Sequence, residues 1–308
     1  MRKLLIVGMP ESGKSTYIGA LRHILLAKDV ETDLEITNLA DSEKHLNQLE
    51  DHWLSCKPME RTKTSNEAWV QLNVRDKFTG AESSLEIPDL RGENFEHPAA
   101  GGCPRPLYEA LIASDGITLF TNANRENDCL LIDDFGDMFD EDEDEKQEVE
   151  IGASGRLEEH NAAKAGSVGE TRDAAAGEPR PVRFQPENMS EEVKIVEFLQ
   201  LANRRPEHPR LRKLALIVSA WDLVADEQDM TPAKWLEAKR PMLNQFLANN
   251  DDLWELRIYG VSAQGGRLPE RKAEFEGMMN QSKRILVVGV EAGQHDLTAP
   301  LRWLIAGG

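Results

Sequence analysis

Cysteine is scarce: the 308 residues contain three, Cys56, Cys103 and Cys129, with no Cys-x-x-Cys spacing and no histidine placed to join them. That excludes a disulfide framework and a zinc site of ordinary ligand spacing, and reduced thiols in a cytoplasmic protein are expected. Long apolar runs are missing too. The longest, residues 4–7, 214–218 and 285–290 interrupted by Gly289, fall far short of the roughly 20 residues that span a bilayer. No membrane span is expected, and the short apolar stretch after Met1 runs into a polar Gly-Lys-Ser loop, which argues against a secretory signal. Excess positive charge is also lacking. With 36 Lys and Arg against 55 Asp and Glu, the net charge is −19, so the surface as a whole repels phosphate backbones and generic nucleic-acid binding is not expected. The 7 histidines are scattered without metal-ligand spacing or a paired nucleophile and read as surface or helix-face residues.

The negative charge is unevenly spread. Residues 126–150 hold thirteen acids against one base, Lys146. From there to about residue 180 Gly, Ala, Ser and Glu dominate without apolar periodicity. Such a composition cannot bury enough surface to offset the entropy of ordering, so 126–186 is expected to be a largely disordered acidic insertion. Leu130, Leu131, Ile132, Phe135, Met138 and Phe139 leave a partner-binding segment as the alternative, whereas Gly136 lacks the closing Glu of an EF-hand loop in register.

Outside that stretch, apolar runs alternate with helical patterns, which argues for an α/β protein with a mainly parallel sheet. Strands are expected near 3–8, 68–76, 84–88, 116–122, 213–219, 254–261 and 284–289, and helices near 14–27, 42–55, 105–114, 190–203, 232–249, 269–279 and 297–305. The segment 68–76 alternates in character and closely precedes the next strand, which suits an antiparallel strand at the sheet edge. Residues 1–125 and 187–308 are expected to make a single three-layer domain, with 126–186 inserted into it.

The strongest chemical signal is Gly8-Met9-Pro10-Glu11-Ser12-Gly13-Lys14-Ser15-Thr16, a full match to Gly-x4-Gly-Lys-[Ser/Thr] that follows a strand and opens a helix. A loop of this kind turns successive backbone N–H groups toward a phosphate chain, and the helix N-terminus adds partial positive charge. Gly8, Glu11, Ser12, Gly13, Lys14, Ser15 and Thr16 are therefore nucleotide-binding candidates. Lys14 would bridge β- and γ-phosphates, and the Ser15 hydroxyl would hold Mg²⁺. The strand ending in Asp89-Leu90-Arg91-Gly92 supplies Asp-x-x-Gly, in which Asp89 can hold Mg²⁺ through water and the Gly92 N–H can sense a γ-phosphate. Thr62, taken in preference to Thr64, is placed to complete the metal shell from the loop before strand 68–76. Two further loops, Ser219-Ala220-Trp221-Asp222 and Ser262-Ala263-Gln264, follow apolar strands at the carboxyl ends where doubly wound sheets bind ligands.

This order of elements resembles the Ras-like translation-factor branch of P-loop GTPases. The chain is similar in particular to the double-GTPase proteins of bacterial conflict systems, through Pro58-Met59-Glu60-Arg61-Thr62, through Trp53 in the preceding helix, and through Trp221-Asp222. The similarity covers 1–125 and 187–305. It implies a Ras-like G domain that binds GTP or GDP with Mg²⁺, and a protein partner that is a second GTPase. It also implies that Asp222 accepts hydrogen bonds from guanine N1 and N2 while the backbone of Ala263, flanked by Ser262 and Gln264, contacts O6. The lysine that usually packs over the purine is missing from Ser219-Ala220-Trp221-Asp222, and Trp221 is expected to cover the base instead. Glu93 follows Gly92 where Ras-like enzymes carry a water-orienting Gln, so it is either the catalytic base or orienter, or an exposed loop acid. Arg91 is an internal arginine-finger candidate, with an ion pair to Glu93 or Glu96 as the alternative.

Two functions from different classes follow. The first is a GTPase switch whose loops 57–66 and 89–104 relax on phosphate loss and control a partner. The second is a nucleotide-binding interaction module with little or no hydrolysis. A P-loop kinase is disfavoured, because no Arg-rich lid follows and the Ser262-Ala263 loop would go unexplained.

Overall fold

The hydrophobic pattern of residues 4–7 requires cover on both faces of the first strand, and the computed structural model provides it. It describes residues 1–38, 43–57, 68–89, 93–124, 189–204 and 211–306. Strand β1 (Arg2–Gly8) lies in the middle of an eight-stranded sheet of order β2-β3-β4-β1-β5-β6-β7-β8. The others are β2 (Leu34–Asn38), β3 (Ala68–Asp76), β4 (Glu82–Asp89), β5 (Gly116–Asn122), β6 (Arg212–Ser219), β7 (Trp254–Ser262) and β8 (Leu286–Val288). Strands β4, β1, β5, β6 and β7 run parallel; β2, β3 and β8 join through antiparallel pairings.

Period-two alternation sorts each central strand between two cores. Leu4 and Ile6 enter one core and Leu5 and Val7 the other; Ala215 and Ile217 divide likewise from Leu214 and Leu216. The first core is closed by α1 (Lys14–Ala27), α2 (Glu43–Leu54) and α9 (Ala299–Ile305) through Tyr17, Leu21, Trp53 and Leu301. The second is closed by α4 (Arg105–Ala113), α5 (Glu191–Asn203), α6 (Pro232–Lys239) and α7 (Pro241–Ala248) through Leu111, Phe198, Leu236 and Leu243. Short helices α3 (Glu93–Glu96) and α8 (Lys272–Glu276) complete the set among the described residues. The result is the expected three-layer α/β architecture.

Three local features depart from the sequence reading. Strand β2 was not expected; it pairs outside β3, so 68–76 is antiparallel but has a neighbour on each side. The single helix expected over 232–249 is two helices with Arg240 between them at φ −138°, ψ 59°. Pro241 excludes the preceding residue from helical geometry, which is the cause of the break. The helix expected over 269–279 shrinks to α8, where only Phe275 is buried. The acidic stretch 126–186 lies outside the described residues, which belong to one unit formed by Met1–Asp128 and Gln185–Gly308. Among the described residues, no helix is long and apolar enough to cross a membrane.

Candidate functional site

Gly8 closes β1 and Lys14 opens α1, so the intervening loop is held between a buried strand and a 14-residue helix. Glu11 and Gly13 both take left-handed backbone angles, φ 58° and 79°. A side chain at Gly13 would be strained by φ and would also stand 2.9 Å from the Ser219 Cβ and Oγ. The Asn122 side chain at the end of β5 donates to the Glu11 carbonyl at 2.8 Å, bracing the loop from the neighbouring strand. Gly8, Glu11, Ser12, Gly13, Lys14, Ser15 and Thr16 are thus brought together at the carboxyl edge of the sheet. Asn122 went unnoticed in the sequence, although its place at a strand end was the available signal; Ser219 was named only as the start of the Ser219-Ala220-Trp221-Asp222 loop, with no role of its own.

Lys14 is buried. Its ammonium donates to the Pro88 carbonyl at 3.2 Å and lies 5.3 Å from the centre of the Phe95 ring. This puts the lysine beside the carboxyl end of β4, whose last residue is Asp89. The hydroxyls of Ser12 and Ser219 are buried with no hydrogen-bond partner, one inside the loop and the other against Gly13. Orphaned donors beside a glycine turn and a helix N-terminus fit an anionic ligand.

The second half of the site lies at the ends of β6 and β7. Ala220 turns with φ 51°, after which Trp221–Leu223 form a short 3-10 turn. The Ser262 hydroxyl donates a short hydrogen bond to Asp222 Oδ1 and accepts the Gly265 N–H at 3.0 Å. Trp53 Nε1 donates to the Ala263 carbonyl at 2.8 Å, and the Gln264 Nε2 is buried without a partner. Arg271, also unnoticed in the sequence, donates to the Gly265 carbonyl at 2.6 Å. Its guanidinium is raised above its ordinary range, first by the hydrogen bond to Glu274 and in smaller part by the charge of Asp222. Asp222, Ser262, Ala263 and Gln264 therefore converge, and the Ser219–Gly13 approach joins them to the phosphate loop.

Trp221 is placed otherwise than expected. It is 1% exposed and packs with Val218 and Trp235, its ring against Gly260, where any side chain would collide with it. A tryptophan so enclosed offers no face to a base. Thr62, Arg91 and Gly92 lie outside the described residues, as do the side chains of Asp89 and Glu93, though their backbones end β4 and begin α3.

A phosphate loop between the central strand and the first helix, with two further loops beside it at the carboxyl edge of a mainly parallel sheet, defines a P-loop protein of the Ras-like α/β class. The family model described as Double-GTPase 1 matches residues 5–304, and the chain belongs to that family. Among solved structures it is similar to the S. cerevisiae Ski7 GTPase-like domain bound to GTP, at TM-score 0.39 and 14% identity over 86% of this chain and 43% of that one. The same domain bound to GDP and inorganic phosphate matches at TM-score 0.40 and 12% identity, over 85% of this chain and 43% of that one. The chain thus spans less than half the length of these structures. No curated protein matches it.

Proposed function

We propose that the chain binds GTP with Mg²⁺ and hydrolyses it, and that loops 57–66 and 89–104 change between the two nucleotide states to control a protein partner. Membership of a GTPase family supports GTP as the ligand. The observation that carries the reading is the close approach of Ser219 to Gly13, which sets the phosphate loop beside the proposed base loop, so that one nucleotide would reach both. In this reading the loop N–H groups and Lys14 hold the phosphates, Asp222 accepts from guanine N1 and N2, and the Ala263 N–H donates to O6. Ser15 on the first turn of α1 and Asp89 at the end of β4 would hold Mg²⁺, with Thr62 completing the shell. Bound there, Mg²⁺ would neutralise charge on the β- and γ-oxygens. Glu93 orients the attacking water and Arg91 stabilises charge on the transferred phosphoryl group. We propose 1–125 and 187–308 as one G domain with 126–186 inserted, a second GTPase as the partner, and bacterial conflict as the process, the last two from the family resemblance.

The test is titration with GTP, GDP and ATP in Mg²⁺, followed through to released phosphate. Guanine-selective binding with phosphate release, abolished in Lys14→Ala, is the expected result. Loss of guanine preference in Asp222→Ala, with phosphate contacts retained, supports the base assignment. Tight binding without release would replace the switch with an interaction module, and wild-type affinity in Lys14→Ala would overturn the phosphate-loop reading.

A further inference from the structure

Arg284 ends a short 3-10 turn, Gln281–Arg284, and is 6% exposed. Among the described residues no carboxylate lies within ion-pair distance of it. Its partners are neutral: Nη2 donates to the Trp53 carbonyl at 2.5 Å, and Nη1 donates to Cys56 Sγ and to Gln281 Oε1, each at 2.9 Å. The guanidinium carbon stands 4.0 Å from the centre of the Trp53 ring and 5.2 Å from that of Phe275, so the cation lies over two aromatic faces. Burying a cation without a counter-charge is costly, and hydrogen bonds to neutral acceptors offset only part of it. What the arrangement fixes is the Trp53 indole. That ring is fully buried, its edge donates to the Ala263 carbonyl, and the Arg284 backbone itself packs against Gly265 so closely that no side chain fits there.

We infer that Trp53 and Arg284 are positioning residues for the base loop: Arg284 sets the indole, the indole holds the Ala263 carbonyl, and through that residue it sets the preceding peptide, whose N–H reads position 6 of the purine. This rests on the guanine reading given above. Both side chains are buried behind the loop, Trp53 fully and Arg284 at 6% exposure. Asp222, the other half of base recognition, is held by a hydrogen bond from Ser262 that the indole does not make, so disturbing the indole should loosen the Ala263 contact and leave that bond in place.

Nucleotide pairs distinguish the two contacts: Ala263 contributes only to the ITP-over-ATP ratio, whereas Asp222 contributes to that ratio through N1 and to the GTP-over-ITP ratio through N2. Inosine and adenine nucleotides share the absence of a 2-amino group and differ at N1 and position 6, whereas guanine and inosine nucleotides differ only in the 2-amino group. In the full chain, Trp53→Phe keeps an aromatic ring and deletes the donor. It should lower the ITP-over-ATP preference roughly five- to tenfold, the worth of one buried hydrogen bond, and leave the GTP-over-ITP ratio unchanged. Arg284→Lys should lower the same ratio in the same direction. A packing role alone would weaken all nucleotides equally. An unchanged ITP-over-ATP ratio in either folded variant overturns the inference, as does a proportional loss for all three nucleotides. In the wild-type protein, the ¹⁵N-labelled indole resonance of Trp53 should shift when GDP binds, and no shift at saturating GDP also overturns it. If the wild-type protein shows no purine selectivity, the guanine reading has failed, an outcome distinct from a selective wild type with unaffected variants.

Discussion

Gly13→Ala tests the junction between the two halves of the site. The new methyl group would suffer two separate penalties. A left-handed backbone costs an alanine about 1–2 kcal/mol. The clash with the Ser219 Cβ and Oγ, at 2.9 Å, is an overpacking term of about 1–3 kcal/mol, because the Cβ of a strand residue cannot swing aside. Loss of about 2–5 kcal/mol in urea-denaturation free energy is expected, with weaker nucleotide binding, since the loop preceding α1 must move. Ser219→Gly removes both obstructing atoms, at a cost of about 0.5–1 kcal/mol for a glycine in a strand. In the double variant the overpacking term vanishes and the backbone term stays. The cycle should therefore show a favourable coupling of about 1–3 kcal/mol, with partial recovery of GDP affinity. Additivity within about 0.5 kcal/mol would refute the claim that Ser219 fills the space in front of Gly13.

Asp76 accepts the N–H groups of Phe78 and Thr79 at 2.8 Å and the Arg302 Nε at 3.3 Å. Burial alone would raise its carboxyl, but these donors outweigh it and hold the group below its ordinary 3.8. Its stabilisation is complete above that value and is lost as pH falls through the lower folded value. Asp76→Ala should cost about 2–4 kcal/mol at pH 7, and the gap from wild type should close in denaturation curves taken well below pH 4. Burial pushes the Cys103 thiol up to about 11, so its alkylation by iodoacetamide at pH 8 should run roughly a hundredfold slower than that of a free thiol; equal rates would contradict its placement. Lys194 and Glu96 pair at 2.7 Å with about a tenth of each side chain exposed. Lys194→Met should cost about 3–5 kcal/mol by stranding the acid, and adding Glu96→Leu should recover most of it.

What was legible in the sequence depended on how local its cause was. Strands β1 and β6 are buried on both faces and show as unbroken apolar runs, β5 as one interrupted by Thr118, and the phosphate loop carries its own signature from Gly8 to Ser15. Strand β2 offers only Leu34 and Ile36 as an alternating pair, too little to stand out from a loop. The break at Arg240 was written in Pro241 and outweighed by the apolar spacing on either side. The fate of Trp221 was not legible, because it depends on Gly260 of another strand clearing space for the ring. Nor was the brace on Ala263, whose donor lies 210 residues earlier in the chain.

The Thr121 hydroxyl, near the end of β5, donates to Glu191 at 2.7 Å, and Arg240 Nη2 grips the other oxygen of the same carboxylate at 3.1 Å. The two ends of the long connection across residues 125–188 are thereby clasped within the folded domain. For a polymer whose ends are already pinned, contour length enters the free energy only through a logarithm, at about 0.6 kcal/mol per doubling. On the expectation from composition that 126–186 is a flexible insertion, a Gly/Ser tether about one-eighth as long should change folding free energy by only about 2 kcal/mol, in the stabilising direction. The clasp makes this junction a natural graft point, where cargo of very different size can be spliced in at nearly constant thermodynamic cost.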